Sequence, residues 1–102
     1  MRKIINGKKY NTLTAASQAN FNDGRPKDDF QHLEETLYLK KTGEYFLHGK
    51  GHGSTEYGED WPSGGRGWGE KIIPLSYDEA LDWASRRLDV DEVEDLFGEV
   101  AE

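Results

Sequence analysis

The sequence contains no cysteine. This absence excludes a disulfide framework, a thiolate nucleophile and a zinc site with cysteine ligands. No apolar run approaches the roughly 20 residues that cross a bilayer as a helix, and the start of the chain, Met1–Ile5, lacks a signal-peptide pattern. We therefore expect a cytoplasmic protein. Its 102 residues are expected to form a single α+β domain, 1-102, with a small core.

Basic side chains are missing from the end of the chain. No lysine or arginine follows Arg87, whereas Asp89–Glu102 holds seven carboxylates. Residues 76–102 carry ten acids and two bases, a net charge of −8, and residues 1–75 carry ten acids and eleven bases, a net charge of +1. The whole imbalance of −7 therefore lies in the last part of the chain. Charge asymmetry of this kind concerns partners rather than the fold.

These acidic residues have two interpretations. A helical rise of about 1.5 Å per residue would place the carboxylates within roughly 20 Å of one another. The ordinary interpretation is a solvated surface. The alternative is a contact surface for a basic partner protein, because a chain that tolerates such repulsion can gain affinity for positive charge. The predicted partner-binding acids are Asp91, Glu92, Glu94, Asp95 and Glu99. A net-negative chain is repelled by DNA and RNA, so direct nucleic-acid binding is not expected unless the basic residues cluster.

Helix signals are concentrated in the same part of the chain. Ser76 and Glu79 have the spacing of a capping box, in which each side chain accepts a hydrogen bond from the other residue's amide. The apolar residues that follow repeat at helical spacing and predict a helix over Tyr77–Leu88. A second short helix is predicted after Asp91 as its N-cap, with Gly98 as its end.

Hairpin signals precede the helices. Asn6-Gly7 predicts a hairpin over Arg2–Tyr10, and Lys41-Thr42-Gly43 predicts another over Phe30–Gly49 that places Leu37 opposite Leu47. A further strand is expected at Lys71–Leu75. The fold class is therefore α+β, a small antiparallel sheet of about four or five strands packed on one C-terminal helix, with a second short acidic helix. The expected core residues are Leu37, Leu47, Ile72, Leu81 and Ala84. A short helical turn is expected within residues 11–19, and a loop over 20–29.

A glycine-rich segment, 49-69, separates the second hairpin from the last strand. It contains most of the glycines together with Trp61 and Trp68, and we expect it to be a loop. Disordered segments are poor in aromatic residues, so the tryptophans argue against plain disorder. They either fold back onto the core or lie exposed as anchors of a protein interface, where tryptophan is enriched. Trp61 and Trp68 are therefore the second set of predicted partner-binding residues.

Catalytic and metal chemistry have few candidate residues. His48, Lys50, His52 and Glu56 offer acid–base groups for cleavage of RNA. The glycines around them supply little of the fixed geometry that a general base or a metal needs. We therefore expect no catalytic residue, no metal and no cofactor, and keep a small ribonuclease as an alternative.

Several sequence blocks point to a known group of proteins. They are Lys3–Lys8, Glu34–Tyr38, Gly43–Gly49, Gly69–Ser76, Glu79-Ala80 and Trp83-Ala84. In these blocks the chain resembles small acidic proteins carried by phages and mobile elements of Firmicutes, some of which are anti-CRISPR inhibitors of type II systems. The resemblance implies a binding inhibitor of an RNA-guided nuclease. The acidic residues agree with this, because an acidic protein could occupy the positively charged guide-RNA or target-DNA site as a nucleic-acid mimic. The remaining alternative is a non-inhibitory accessory or regulatory binding protein of a mobile element.

Overall fold

The computed structural model describes residues 1–99 and confirms the α+β class. Its elements in chain order are β1 (Arg2–Ile5), β2 (Lys8–Asn11), β3 (Ala16–Asn22), β4 (Leu33–Leu39), β5 (Tyr45–Gly51), β6 (Glu59–Asp60), β7 (Arg66–Gly67), β8 (Gly69–Leu75), α1 (Tyr77–Arg87) and α2 (Val90–Phe97). Four strands form an antiparallel sheet in the order β3-β4-β5-β8, and β1-β2 and β6-β7 form two separate ribbons.

Both predicted hairpins are present because their turn residues suit the required backbone. Asn6 and Gly7 have φ values of 51° and 77°, as a tight two-residue turn requires. In the second hairpin Gly43 has φ of 90° and the Lys40 amide donates to the Glu44 carbonyl at 2.8 Å. Its register places Leu37 opposite Leu47, as predicted.

The main core lies between the sheet and the helices. Its buried side chains are Leu37, Leu47, Ala80, Trp83, Ala84 and Val93. The prediction that Leu81 is buried is wrong, since it is only partly buried against this cluster. The helix turns Trp83, 3% exposed, toward the sheet, and this larger ring fills the space between them.

A second core lies on the opposite face of the sheet. Phe46 and Ile72 follow the alternation of their strands and point away from the helices. The β1–β2 hairpin covers them with Tyr10, whose ring meets that of Phe46 edge-on at 5.5 Å. Ile72 is buried as predicted, but in this second cluster.

The segment before β4 differs from the prediction. Residues 16–22 form strand β3 rather than a helical turn followed by loop, and pair with β4 through partners such as Ala19 and Leu37. Alanine and asparagine, which make up four of its seven residues, are depleted in strands. Tertiary pairing with β4 decides the conformation here.

Both helices begin at side-chain caps. The Ser76 hydroxyl accepts from the Glu79 amide at 3.1 Å, and the Glu79 carboxylate accepts from the Ser76 amide at 2.9 Å, so the capping box is confirmed. α2 is capped by Asp89, whose carboxylate accepts from the Glu92 amide at 2.9 Å, and the prediction of Asp91 as the cap is wrong by two positions. Gly98 ends α2 with φ of 85°. Within residues 1–99, no helix has the length and apolar character to span a bilayer.

Candidate functional site

The predicted acids lie on the C-terminal helices. Asp91, Glu92 and Asp95 are exposed on α2, Glu99 is exposed just after it, and Glu94 is partly buried. α2 contains no basic residue in its last turn. The structure therefore brings three of these carboxylates together on the outer surface of one helix.

α1 extends this acidic region. Asp78, Glu79 and Asp82 are exposed on it. Hydrogen bonds from the Ser76 amide and hydroxyl lower the pKa of Glu79, and Asp82 forms an ion pair with Arg86 at 3.1 Å. We call the exposed carboxylates of α1 and α2 the acidic surface; they are Asp78, Glu79, Asp82, Asp91, Glu92 and Asp95.

Trp61 and Trp68 lie outside both core clusters. Trp61 is 53% exposed and Trp68 is 38% exposed. Trp61 packs over Gly67 of the neighbouring strand, where a Cβ would meet its ring at 2.0 Å. Trp68 contacts the rings of His32 and His52 at 5.4 and 5.6 Å. Both tryptophans therefore remain available as exposed aromatic side chains on an element separate from the acidic surface.

The glycine-rich segment is more ordered than a loop. β5 runs into it as far as Gly51, and it contains the short ribbon β6–β7. Its anchor is Tyr57, which is fully buried. Gly49 permits this, because a Cβ at Gly49 would lie 1.9 Å from the Tyr57 ring.

Sequence reasoning missed a buried carboxylate beneath α1. Glu35 is 3% exposed and accepts hydrogen bonds from the Tyr57 hydroxyl at 2.6 Å and from Trp83 Nε1 at 3.0 Å. Arg87 Nε lies 3.2 Å from Glu35 Oε1. Its N–H does not point at the carboxylate, so the contact is an ion pair without a hydrogen bond. The sequence signal was present, since strand alternation places Glu35 between Leu33 and Leu37 on the apolar face.

We call Glu35, Tyr57, Trp83 and Arg87 the buried network. It joins β4, the glycine-rich segment and α1. Burial, and then the hydrogen bond to Glu35, raise the pKa of Tyr57, so this phenol stays protonated and keeps donating. Both carboxylate oxygens of Glu35 accept from protein donors, so its role in this arrangement is to hold the segment and the helix together.

Removing the Tyr57 hydroxyl should weaken the fold measurably. Tyr57→Phe keeps the ring over Gly49 but leaves the buried Glu35 carboxylate without its shortest hydrogen bond. Hydrogen bonds to charged groups contribute about 1.5–3 kcal/mol, and we expect a loss of that size in urea unfolding. Tyr77→Phe is the matched control, because the Tyr77 hydroxyl donates only a long, exposed hydrogen bond of 3.3 Å to the neutral Phe97 carbonyl, and its loss should change stability by less than about 0.5 kcal/mol. If Tyr57→Phe and Tyr77→Phe lowered the free energy of unfolding equally, the hydrogen bond from Tyr57 to Glu35 would not stabilise the fold as described.

The histidines proposed for RNA cleavage are held separately. His48 Nε2 lies 2.9 Å from a Glu70 carboxylate oxygen. His52 Nδ1 accepts from the Gly53 amide at 2.7 Å, and its ring packs between Phe30 and Trp68. Among residues 1–99, no group of three or more His, Asp or Glu side chains has an arrangement that could hold a metal ion.

No protein-family model, no curated protein and no solved structure matches the chain.

Proposed function

We propose that the protein is a non-catalytic inhibitor of a type II CRISPR RNA-guided nuclease, acting in the cytoplasm of a bacterial host. The acidic surface would occupy a site that otherwise holds guide RNA or target DNA. The observation that supports this most is α2, which exposes Asp91, Glu92 and Asp95 and contains no base. The resemblance to phage and mobile-element proteins points to the same class of partner.

The electrostatics favour a basic groove as the partner site. RNA-guided nucleases hold the guide–target duplex in a positively charged channel and contact its backbone rather than its sequence. A helix with regularly spaced carboxylates presents negative charge to the same channel. Complementary charge of this kind raises the association rate and selects the partner more than it adds affinity.

The exposed tryptophans support a second candidate, a binding protein of a mobile element that docks through aromatic anchors. Trp61 and Trp68 are exposed enough to enter pockets on a partner, and tryptophan is enriched among residues that dominate binding energy. Such a protein would bind without blocking a nucleic-acid channel.

Co-purification and cleavage assays separate these candidates. We expect the protein to co-purify with a type II nuclease and to reduce cleavage of target DNA. If the protein and the guide RNA compete for one site, less protein should co-purify when the guide RNA is loaded first. If the protein co-purified with the nuclease but cleavage of target DNA was undiminished, the accessory-protein alternative would be favoured. Degradation of guide RNA by the protein alone would support the ribonuclease and contradict the proposal.

A further inference from the structure

Basic residues collect at the start of the chain. No acid occurs before Asp23, whereas Arg2, Lys3, Lys8 and Lys9 all lie in the β1–β2 hairpin and are exposed. We call these four side chains the basic ribbon. The chain as a whole is acidic, but this element by itself is strongly cationic.

The turn between β4 and β5 enlarges the cationic region. It carries Lys40 and Lys41, and the single carboxylate there, Glu44, lies 2.8 Å from Lys8 Nζ and 3.1 Å from Lys40 Nζ. Hydrogen bonds from Lys8 and then Lys40 lower the pKa of Glu44 to about 2, so it is ionised at neutral pH. Glu44 therefore offsets part of the charge of Lys8 and Lys40. Within residues 1–99, Arg2, Lys3 and Lys9 have no carboxylate partner at ion-pair distance.

The ribbon and the acidic surface lie on opposite sides of the sheet. The hairpin covers Phe46, whereas the helices cover the adjacent residue Leu47. Layers of a sheet structure pack about 10 Å apart, and the Debye length is about 8 Å at physiological salt. The carboxylates of the helices therefore cancel little of the positive potential at the ribbon.

The register of the hairpin sets the direction of its side chains. Tyr10 points into the second core and shares that face of the hairpin with its paired residue, Lys3. Ile4 is paired with Lys9 and is 72% exposed, so the outer face carries Arg2, Ile4 and Lys9. The outer face therefore presents two cations around an exposed apolar side chain.

We propose that the basic ribbon binds duplex DNA through its phosphates. A two-stranded β-ribbon is one of the two protein shapes that fit the B-DNA major groove. Arginine and lysine side chains along such a ribbon reach the phosphates that flank the groove. The net charge argued against nucleic-acid binding unless basic residues cluster, and the fold supplies that cluster on the side of the sheet away from the acids of α1 and α2. This binding does not depend on the acidic surface or on a nuclease partner.

Fluorescence anisotropy with a labelled DNA duplex of two helical turns tests the proposal on the purified full chain. Two phosphate contacts, from Arg2 and Lys9, predict a slope of about −1.8 for log K against log salt concentration, which is roughly a 12-fold loss of affinity between about 50 and 200 mM salt. The double variant Arg2→Gln/Lys9→Gln should lose at least tenfold in affinity at low salt. The control Lys27→Gln/Arg86→Gln changes the net charge equally and should stay within twofold.

Circular dichroism of both variants should match that of the unchanged protein, because the substituted side chains are exposed. Absence of binding by the unchanged protein at low salt would overturn the proposal, as would an equal loss of affinity in the control. A second copy of the chain is the competing occupant, since its acidic helices would also attract the ribbon. Sedimentation that shows self-association, abolished by the same ribbon variant while DNA binding persists, would assign the ribbon to that contact instead.

Discussion

Replacing Trp83 with alanine should lower the free energy of unfolding by about 3–5 kcal/mol. The indole is 3% exposed at the centre of the main core, where it packs with Leu37, Leu47 and Val93. Its truncation leaves a cavity between the sheet and α1 and also removes the Nε1–H donor to Glu35. Domains of this size are stable by only about 5–15 kcal/mol, so the variant should lose much of its stability. Urea unfolding followed by circular dichroism measures this without relying on the substituted fluorophore.

Trp83→Phe separates the two contributions. It removes the donor to Glu35 and a smaller part of the ring volume than alanine does, so its cost should lie between the roughly 1.5–3 kcal/mol of a hydrogen bond to a charged group and the cost of Trp83→Ala. Trp61→Ala is the exposed control and should cost much less, because its side chain is half exposed. A loss below about 1 kcal/mol for Trp83→Ala would show that the helix packs with a different face.

Arg87→Met should be the second severe variant. It removes the cation beside Glu35 and leaves the buried carboxylate with two neutral donors, Tyr57 and Trp83. Removing one partner of a buried ion pair costs about 3–5 kcal/mol, since the remaining charge is uncompensated. The guanidinium also lies 4.2 Å from the Phe21 ring, a contact that methionine replaces only in part. We therefore expect urea unfolding to show a loss of at least about 3 kcal/mol in the free energy of unfolding.

The chain offers a matched control at the next residue. Arg86 pairs with the exposed Asp82, and Arg86→Met should cost less than about 1 kcal/mol. In the Glu35→Met background, Arg87→Met should cost less than it does in the unchanged protein, because no buried carboxylate is left uncompensated there. If Arg87→Met costs no more than Arg86→Met, the ion pair with Glu35 does not stabilise the fold.

The parts of the fold that follow local rules could be predicted from the sequence. Asn6-Gly7 and Gly43 adopt the positive φ values that their turns require, and a residue before the first helical turn, Ser76, caps α1 together with Glu79. Each of these signals involves residues within a few positions of one another. β3 could not be predicted this way, because its conformation depends on pairing with β4 rather than on its own composition.

In the candidate site, only the exposed acidic residues could be predicted from the sequence. Charge counting located the acids of α2, since net charge is a property of the sequence alone. The buried network joins Glu35 to Tyr57 and to Trp83, which lie 22 and 48 residues away along the chain. Strand alternation could have marked Glu35 as a carboxylate that needs partners. Its partners could not be identified, because only the folded glycine-rich segment brings Tyr57 onto Gly49.

The most direct test of the proposed function is the association rate of charge-reversed protein with the purified nuclease, measured by surface plasmon resonance at several salt concentrations. We expect Asp91→Lys/Glu92→Lys/Asp95→Lys to slow association steeply and to remove most of its salt dependence, because exposed charges govern the encounter and contribute little to stability. A control reversal of exposed acids elsewhere, Asp28→Lys/Glu56→Lys/Glu59→Lys, should associate nearly as fast as the unchanged protein. Normal association of the α2 variant, together with loss of binding in Trp61→Ala/Trp68→Ala, would contradict the acidic-surface account and assign the contact to the tryptophans.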